Sequence, residues 1–326
     1  MLTARALALL SALAAVLVLA ATAFALTPNG SVVAPLPVQD LALTGRSAAY
    51  VADTPSALRC GRVGLWNTKT GRGFSIDAKE LCLEQTSTGQ GIWDVTVATK
   101  RILWLTYAGG NFREWFLWTA TATRTRPLQL RFVSRPVEDP PPIVIGPGTA
   151  QGIPYAVDRQ IVYLGDDGKA ISKTIVASPV RALAAGAGPG RLEIAALLAS
   201  GRVVGLDSAG GEVTPPEPYP LKAVVALRVC SLGTAVQVGD EVEILPPRSH
   251  DGVVVRLPAG ATMVDVAQGR VLWTRAGDLG ATTIATGRSM DLVDGTPEKP
   301  VHGQLEIGGL AWATGRSVRW RTGLLR

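Results

Sequence analysis

Short segments in which apolar residues alternate with small or polar ones recur along most of the chain. The stretch VDVAQGRVLWTRAGD, residues 264–278, shows the pattern: an alternating segment, a tight Gly-Arg turn, and a second apolar segment containing Trp. Alternation with a period of two on both sides of a tight turn predicts a pair of β-strands. We therefore expect an all-β protein.

Seven copies of this strand–turn–strand unit can be aligned on the turn. The turn residues are Arg46, Arg101, Arg159, Arg202, Thr234, Arg270 and Arg316, at a mean step of 45 positions. A repeat of roughly 40–50 residues built from short strands is typical of β-propeller blades, each of which is a four-stranded sheet. Seven blades are expected. Six remain an alternative, because the step of 32 residues from Arg202 to Thr234 is short for four strands.

The two ends of the repeat region suggest how the ring closes. The last copy has room for only two strands before Arg326, and residues 31–40 could supply an outer strand to the same blade. A blade shared by both ends leaves no free sheet edge. The alternatives are a β-sandwich, or two β domains joined at the Pro-rich residues 135–148. Residues 180–201 are Ala/Leu-rich and could be helical, although an internal Gly-Pro-Gly and the alternation favour strands.

The N-terminus predicts export. In residues 1–25 Arg5 is the only charge, a long apolar run follows, and Ala23-Phe24-Ala25 has the form of a cleavage site. An uncleaved anchor is the alternative, since the run from Ala6 to Leu26 is long enough to span a bilayer. Residues 26–326 then form a single propeller domain in the periplasm, in the cell envelope or outside the cell.

The net charge and the cysteines give little further information about function. The formal net charge is +6 without a Lys/Arg block, so neither a nucleic-acid partner nor a basic membrane-binding surface is expected. Export permits disulfides, and Cys60 with Cys82 form the best pair because they lie 22 residues apart in one copy. Cys230 lies in an apolar segment and reads as a buried small side chain.

Catalytic and metal-binding patterns are weak. The two histidines, His250 and His302, lie in turn-like sequence, there is no G-x-S-x-G, and the acidic turns do not match a calcium loop. We expect no metal and no cofactor. Carboxylates near inner strands could still meet in the channel of a propeller; the candidates are Asp94, Asp158, Glu193, Asp265 and Glu306. Glu193, Asp265 and Glu306 precede or open first strands and are the candidate catalytic set, although solvated acids at strand entries are the simpler interpretation.

Aromatic residues concentrate in the second copy. They are Trp93, Trp104, Tyr107, Phe112, Trp115, Phe116 and Trp118. Most are expected to fill the spaces between blades. Rings near the turn at residues 107–112, namely Tyr107, Phe112 and Trp115, could instead form an exposed contact surface, and exposed aromatic clusters mark binding sites.

The segments GLWNTKTGR and VLWTRAGD give the repeat a resemblance to the TolB-like and WD40-like propeller group, over residues 31–326. Blades of that group carry Ser-Pro-Asp-Gly-Lys in the first turn, where this chain has Thr-Gly-Arg, Thr-Lys-Arg, Val-Asp-Arg or Gln-Gly-Arg. The resemblance implies the fold and a tendency to bind proteins or peptides. It transfers no catalytic residue.

These observations favour an exported, non-enzymatic propeller that acts, as a monomer, as a scaffold for a protein or a cell-envelope component. One alternative is an exported hydrolase or lyase that acts on glycan or peptide through channel carboxylates. The other is a structural or sensor domain held in the membrane only by an uncleaved N-terminal segment.

Overall fold

Seven four-stranded antiparallel sheets make up the structure, a computed structural model that describes residues 28–52, 62–76, 90–218, 224–247, 249 and 251–323. Blades are numbered here along the chain. Blade 1 contains β2 (Val38–Thr44), β3 (Ser47–Ala52), β4 (Arg62–Asn67) and β5 (Gly73–Ser75); blade 2 contains β6 (Gln90–Val97), β7 (Arg101–Ala108), β8 (Phe112–Thr121) and β9 (Arg124–Pro136). Blade 3 contains β10 (Ile143–Ile145), β11 (Gly152–Val157), β12 (Gln160–Gly165) and β13 (Ala170–Ile175); blade 4 contains β14 (Val180–Ala185), β15 (Ile194–Leu198), β16 (Arg202–Leu206) and β17 (Glu212–Pro218).

The remaining blades have the same order. Blade 5 contains β18 (Val224–Cys230), β19 (Gly233–Val238), β20 (Glu241–Leu245) and β21 (Val253–Arg256); blade 6 contains β22 (Thr262–Ala267), β23 (Arg270–Arg275), β24 (Asp278–Thr283) and β25 (Ser289–Val293). Blade 7 contains β26 (Val301–Glu306), β27 (Gly309–Thr314), β28 (Ser317–Thr322) and β1 (Gly30–Val33). The prediction of seven four-stranded blades is confirmed, and the sandwich, two-domain and six-blade alternatives are wrong.

The first and last described strands close the ring. β1 pairs antiparallel with β28, with Gly30 opposite Trp320 and Val33 opposite Ser317. The C-terminal part of the chain therefore supplies three strands to blade 7 rather than the two expected, and the N-terminal part supplies the outer one. Pairing the two ends of the ring in one sheet gives the closure expected from the sequence.

The expected repeat mixed two kinds of turn. Arg46, Arg101, Thr234 and Arg270 follow the first strand of a blade, whereas Arg159, Arg202 and Arg316 follow the second. Both turns join antiparallel apolar strands, so the pattern alone does not distinguish them. Counted from their first strands, blades begin 37 to 53 residues apart, and the short step of 32 disappears. The Ala/Leu-rich residues 180–201 form β14 and β15, joined through a 3₁₀ turn at Pro189–Arg191 rather than through an α-helix.

Apolar clusters between neighbouring blades form the core. Large rings fill most of these spaces: Trp66 and Trp320 between blades 7 and 1, Trp104 between 1 and 2, Trp115 between 2 and 3, Tyr163 between 3 and 4, Trp273 between 5 and 6, and Trp312 between 6 and 7. Blades 4 and 5 pack through aliphatic side chains. Each blade thus buries both faces against neighbours, which is why a single repeat could not fold alone.

One glycine shows how closely these rings pack within a blade. A Cβ at Gly280 would lie 2.1 Å from the ring of Trp273 on the neighbouring strand. Trp273 is buried, and its indole Nε1 donates a 2.9 Å hydrogen bond to Thr282 Oγ1. The ring therefore lies flat over β24 because residue 280 has no side chain.

The predicted targeting segment lies outside the described residues. Within the described part of the chain, no helix has the length and apolar character needed to cross a membrane.

Candidate functional site

The first strands of the blades face a common channel, and three of them share one sequence feature. Asp40, Asp94 and Asp265 each occupy the third place in an apolar-x-Asp-apolar pattern. The pairing with the second strand shifts by one residue immediately before each aspartate. Such bulges leave one residue unpaired and re-aim the side chain that follows. The channel aspartates are therefore placed by local strand irregularity.

Two of the aspartates link neighbouring blades. Asp40 Oδ1 accepts the N–H of Leu41 at 2.8 Å, and Oδ2 accepts the N–H of Val95 in blade 2 at 3.1 Å. Asp265 repeats this arrangement in blade 6, with Val266 N–H at 2.8 Å and Leu305 N–H of blade 7 at 3.0 Å. Both carboxyls thus satisfy backbone donors on inner strands that have no further strand beside them.

Asp40 and Asp94 form a hydrogen-bonded carboxyl pair between blades 1 and 2. Burial raises the pKa of Asp94 well above its ordinary value, and the neighbouring Asp40 carboxylate raises it further. Burial also raises the pKa of Asp40, but the N–H groups of Leu41 and Val95 favour its ionised form. Two carboxyls in contact cannot both ionise easily, so Asp94 is the one that retains the shared proton.

Arg228, His302 and Gln304 bring other functional groups to the same channel. The Arg228 guanidinium is fixed by donating from Nε to the Val264 carbonyl and from Nη1 to the Leu227 carbonyl, the latter at 2.7 Å. Burial lowers the pKa of His302, which keeps the imidazole neutral, and the nearby Asp40 carboxylate only partly opposes this effect.

Two cavities occupy the channel. The outer cavity, about 360 Å³, is lined by His302 and by loops of blades 6 and 7 at the end where the first strands begin. The inner cavity, about 140 Å³, is lined by Asp94, Thr96 and the first strands of blades 3 and 4. Asp40, Leu41, Arg228 and Gln304 line both cavities. The two are therefore adjoining parts of one polar passage.

The structure brings together only some of the acids expected to meet in the channel: the charge of Asp265 acts on Glu306, whereas Glu193 and Asp158 lie away from the first strands. Asp94 and Asp265 do lie on first strands, but Glu193 precedes the second strand of blade 4, so the expectation for it is wrong. Asp158 lies in the turn between the second and third strands of blade 3, and its Oδ2 forms an ion pair with Arg135 Nη2 at 2.9 Å. Neither cavity is lined by any of Glu193, Asp265 and Glu306. A catalytic role for those three residues stays a prediction.

Glu306 lies at the far end of β26, where its Oε2 accepts the Gly45 N–H at 3.1 Å. Burial raises its pKa to about 7, with a further contribution from the charge of Asp265. In blade 4, burial also raises the pKa of Glu193, while a hydrogen bond with Ser208 lowers it.

Sequence reasoning missed Asp40, Arg228 and His302 as channel residues. Asp40 ends a segment interpreted as an outer strand, and His302 was placed in a turn, whereas both lie on first strands. The recurrence of apolar-x-Asp-apolar at three first strands was the available signal for Asp40. Within the described part of the chain, no group of three or more His, Cys, Asp or Glu side chains is arranged to hold a metal ion.

A second feature is the aromatic edge of blade 2, which consists of Trp93, Tyr107, Phe112 and Arg113. The Trp93 ring meets Tyr107 and the buried Trp115 edge to face, at 5.9 and 5.3 Å between centroids. The Arg113 guanidinium lies 4.7 Å from the Tyr107 ring centroid. Trp93 and Phe112 are 51% and 64% exposed. The exposed Trp93 ring therefore rests on a packed aromatic base.

Compared with the expected contact surface, the edge lacks Trp115 and adds Trp93 and Arg113. Trp115 is only 2% exposed and packs between blades 2 and 3, so its assignment to an exposed surface is wrong. Tyr107 is half-buried and Phe112 is exposed, and their binding role stays a prediction. Trp93 was not selected from the sequence, because strict alternation does not reveal that the bulge before Asp94 turns this ring outward.

Cys60, Cys82 and His250 lie outside the described residues. Cys230 is a free, buried thiol in β18, and burial raises its pKa, which agrees with its interpretation as a small apolar side chain.

The sequence matches no protein-family model and no curated protein. Its structure is similar to the Neurospora crassa Pan2 WD40 domain, with TM-score 0.55, 12% identity and coverage of 92% of this chain and 96% of that one. A chain of the Mitotic Checkpoint Complex gives TM-score 0.57, 14% identity and coverage of 93% and 97%. Chaetomium thermophilum Raptor gives TM-score 0.54 and 10% identity over 91% of this chain, which spans only 29% of Raptor. Identities this low show the WD40-like propeller fold alone; the resemblance to TolB-like proteins stays a prediction.

Proposed function

We propose that this protein is a non-enzymatic β-propeller scaffold that binds a protein partner through the aromatic edge of blade 2. The observation that carries the proposal is the exposure of Trp93 above a packed base of Tyr107 and Trp115, with the exposed Phe112 at the start of β8 in the same blade. Rings held by neighbours lose little conformational freedom on binding, and aromatic and Arg side chains dominate the energetics of protein interfaces.

The surroundings of the edge support the same function. Arg113 lies against Tyr107 and Trp115, so a charged donor stands beside the exposed rings. Val137, 38% exposed, follows β9 at the same end of the blade and extends the apolar area. One structural neighbour belongs to a multiprotein checkpoint complex, which is the kind of use proposed here.

The proposal includes export of a monomeric protein and a partner in the cell envelope. It rests on the apolar residues 6–26 and the Ala23-Phe24-Ala25 site. The mass of the mature N-terminus tests it: loss of residues 1–25 supports secretion, whereas an intact N-terminus in the membrane fraction supports an anchored domain.

Site-specific photocrosslinking in the native host tests the contact surface. A photoreactive residue at position 93 or 112 should give a discrete adduct, whereas the same residue at Ile175, an apolar position 72% exposed on β13, serves as the matched control. Replacing both rings, Trp93→Ala with Phe112→Ala, should abolish an adduct formed from a third position, Val137. Equal adducts at the control position, or an adduct at Val137 that survives the double substitution, would refute this surface.

A further inference from the structure

The polar passage along the axis contains groups that the proposed scaffold function leaves unused. Thr96 lines the inner cavity and His302 lines the outer one. Thr96 is only 3% exposed, and neither its Oγ1 nor the buried His302 Nε2 has a hydrogen-bond partner among the described residues. Buried polar atoms are normally satisfied, so orphaned atoms on a cavity wall indicate that something polar is bound there.

Arg228 supplies a fixed cationic group between the two cavities. Two backbone carbonyls fix its Nε and Nη1, and it makes no ion pair with a carboxylate of the described residues. Its charge nevertheless acts on Asp94 and Asp265, so the acidic groups lie nearby without touching it. An anchored guanidinium of this kind is prepared to accept an anionic oxygen group.

The carboxyl pair of Asp40 and Asp94 supplies the opposite charge in the same passage. Asp40 lines both cavities and Asp94 the inner one. An ammonium group that replaces the shared proton would satisfy both carboxylates. The lining residues include no Phe, Tyr or Trp in either cavity, so the described walls offer no stacking platform for a nucleobase. A bare divalent cation is disfavoured by the Arg228 charge.

We propose that the channel binds a small zwitterion, an amino acid or similar amino-carboxylate, whose carboxylate pairs with Arg228 and whose ammonium group pairs with Asp40 and Asp94. Thr96 and His302 supply hydrogen bonds to the bound molecule. The site is separate from the aromatic edge, and the inference does not depend on the proposed scaffold function.

The charges around the pair make binding depend on pH. The groups outside the pair whose charges act on it are Arg228, which acts on Asp94, and His302, which acts on Asp40 and is held largely neutral by burial. An ammonium group stabilises the ionised form of Asp94, so binding releases up to one proton. Affinity should therefore rise with pH over the range in which Asp94 is still protonated in the free protein, and the heat of binding should differ between buffers with different protonation enthalpies.

Isothermal titration of the full chain tests the proposal, with glycine, alanine and γ-aminobutyrate as probes and acetate and ethylamine as half-ligands. We expect saturable binding of at least one zwitterion. Each half-ligand should bind at least about tenfold more weakly than that zwitterion. Arg228→Gln should weaken zwitterion binding by roughly 10- to 100-fold. Arg202→Gln, which removes the same charge from an exposed residue outside the channel, should leave it unchanged.

Thr96→Val keeps the shape of the residue. It tests whether the channel binds the ligand if Arg228→Gln does not fold. If the hydroxyl has no ligand, removing an unpaired buried polar group leaves stability equal or higher and binding unaffected. If it contacts the ligand, affinity falls about tenfold while the fold persists. The proposal is overturned if no zwitterion binds up to about 10 mM, if a half-ligand binds as well as the zwitterion, or if Thr96→Val binds like the wild type.

Discussion

Glu306, at the end of β26, tests whether its raised pKa makes the stability of the protein depend on pH. Burial and the neighbouring Asp265 raise the pKa of Glu306 to about 7, against an ordinary value of 4.5, although Gly45 N–H stabilises its charged form. A carboxyl whose pKa is raised by folding contributes stability that is complete below the ordinary pKa and is lost as pH rises through the folded value. The wild type should therefore lose stability between pH 4.5 and about 7.

The magnitude follows from the difference between the two pKa values. At about 1.4 kcal/mol for each pKa unit, the limit is about 3 kcal/mol. Glu306 is partly exposed, so solvent screening reduces the expected effect to about 1–2 kcal/mol. Glu306→Gln keeps a carbonyl oxygen that can accept the Gly45 N–H and removes the titrating charge. At pH 8 the variant should therefore be more stable than the wild type by about 1–2 kcal/mol, and at pH 4.5 the two should be nearly equal.

Urea unfolding followed by tryptophan fluorescence at several pH values between 4.5 and 8 measures this difference. Glu138→Gln, which removes a charge from an exposed residue, controls for the change in net charge. The other channel acids titrate in both proteins, so the effects of those that do not interact with Glu306 cancel in the difference, and the interaction of Glu306 with Asp265 is part of the effect measured. A difference that does not change with pH, or one that favours the wild type at pH 8, would refute the reasoning.

Three further substitutions test the packing and the channel links by the same unfolding assay. Gly280→Ala places a Cβ against the Trp273 ring and should cost about 1–3 kcal/mol; a neutral effect would mean that the ring can shift. Asp265→Ala removes the acceptor of Leu305 N–H and should cost about 2 kcal/mol, and unchanged stability would show that this link between blades contributes nothing. Trp115→Ala should cost about 3–5 kcal/mol because the ring is buried, whereas Trp93→Ala should cost about 1 kcal/mol or less; similar losses would contradict the division into base and exposed edge.

The sequence predicted the blade architecture because the alternation of apolar residues is imposed by two buried faces. Each sheet packs on both sides, so almost every strand carries the pattern, and the Gly-rich turns separate the strands. Because all strands share this alternating pattern, the sequence does not show which position each strand takes within its blade. Arg159 and Arg202 follow second strands, yet their turns resemble the first-strand turns at Arg46 and Arg101.

The candidate site was only partly predictable, because its residues are placed by bulges and by ring closure. Asp94 and Asp265 were selected, but Asp40 was not, since its strand becomes the innermost one only once the preceding segment pairs with the C-terminal strand. Arg228 lies in a segment that reads as an ordinary apolar strand. Its channel position depends on which strand of blade 5 is innermost, and local alternation does not contain that information.

The channel residues also explain how a ring of separate sheets holds together at its centre. A first strand is the inner edge of its sheet, so some of its backbone groups have no ladder partner. Asp40 and Asp265 accept N–H groups from the next blade, and Arg228 donates to a carbonyl of blade 6. Blades 4 and 5 carry Ala182 and Ala226 after the corresponding bulges, and these residues cannot form such links. The charged side chains are therefore concentrated where they join blades, and the same side chains give the passage its polarity. A ligand that binds Arg228, Asp40 and Asp94 would bridge blades 1, 2 and 5 across the axis, so its binding should also stabilise the ring.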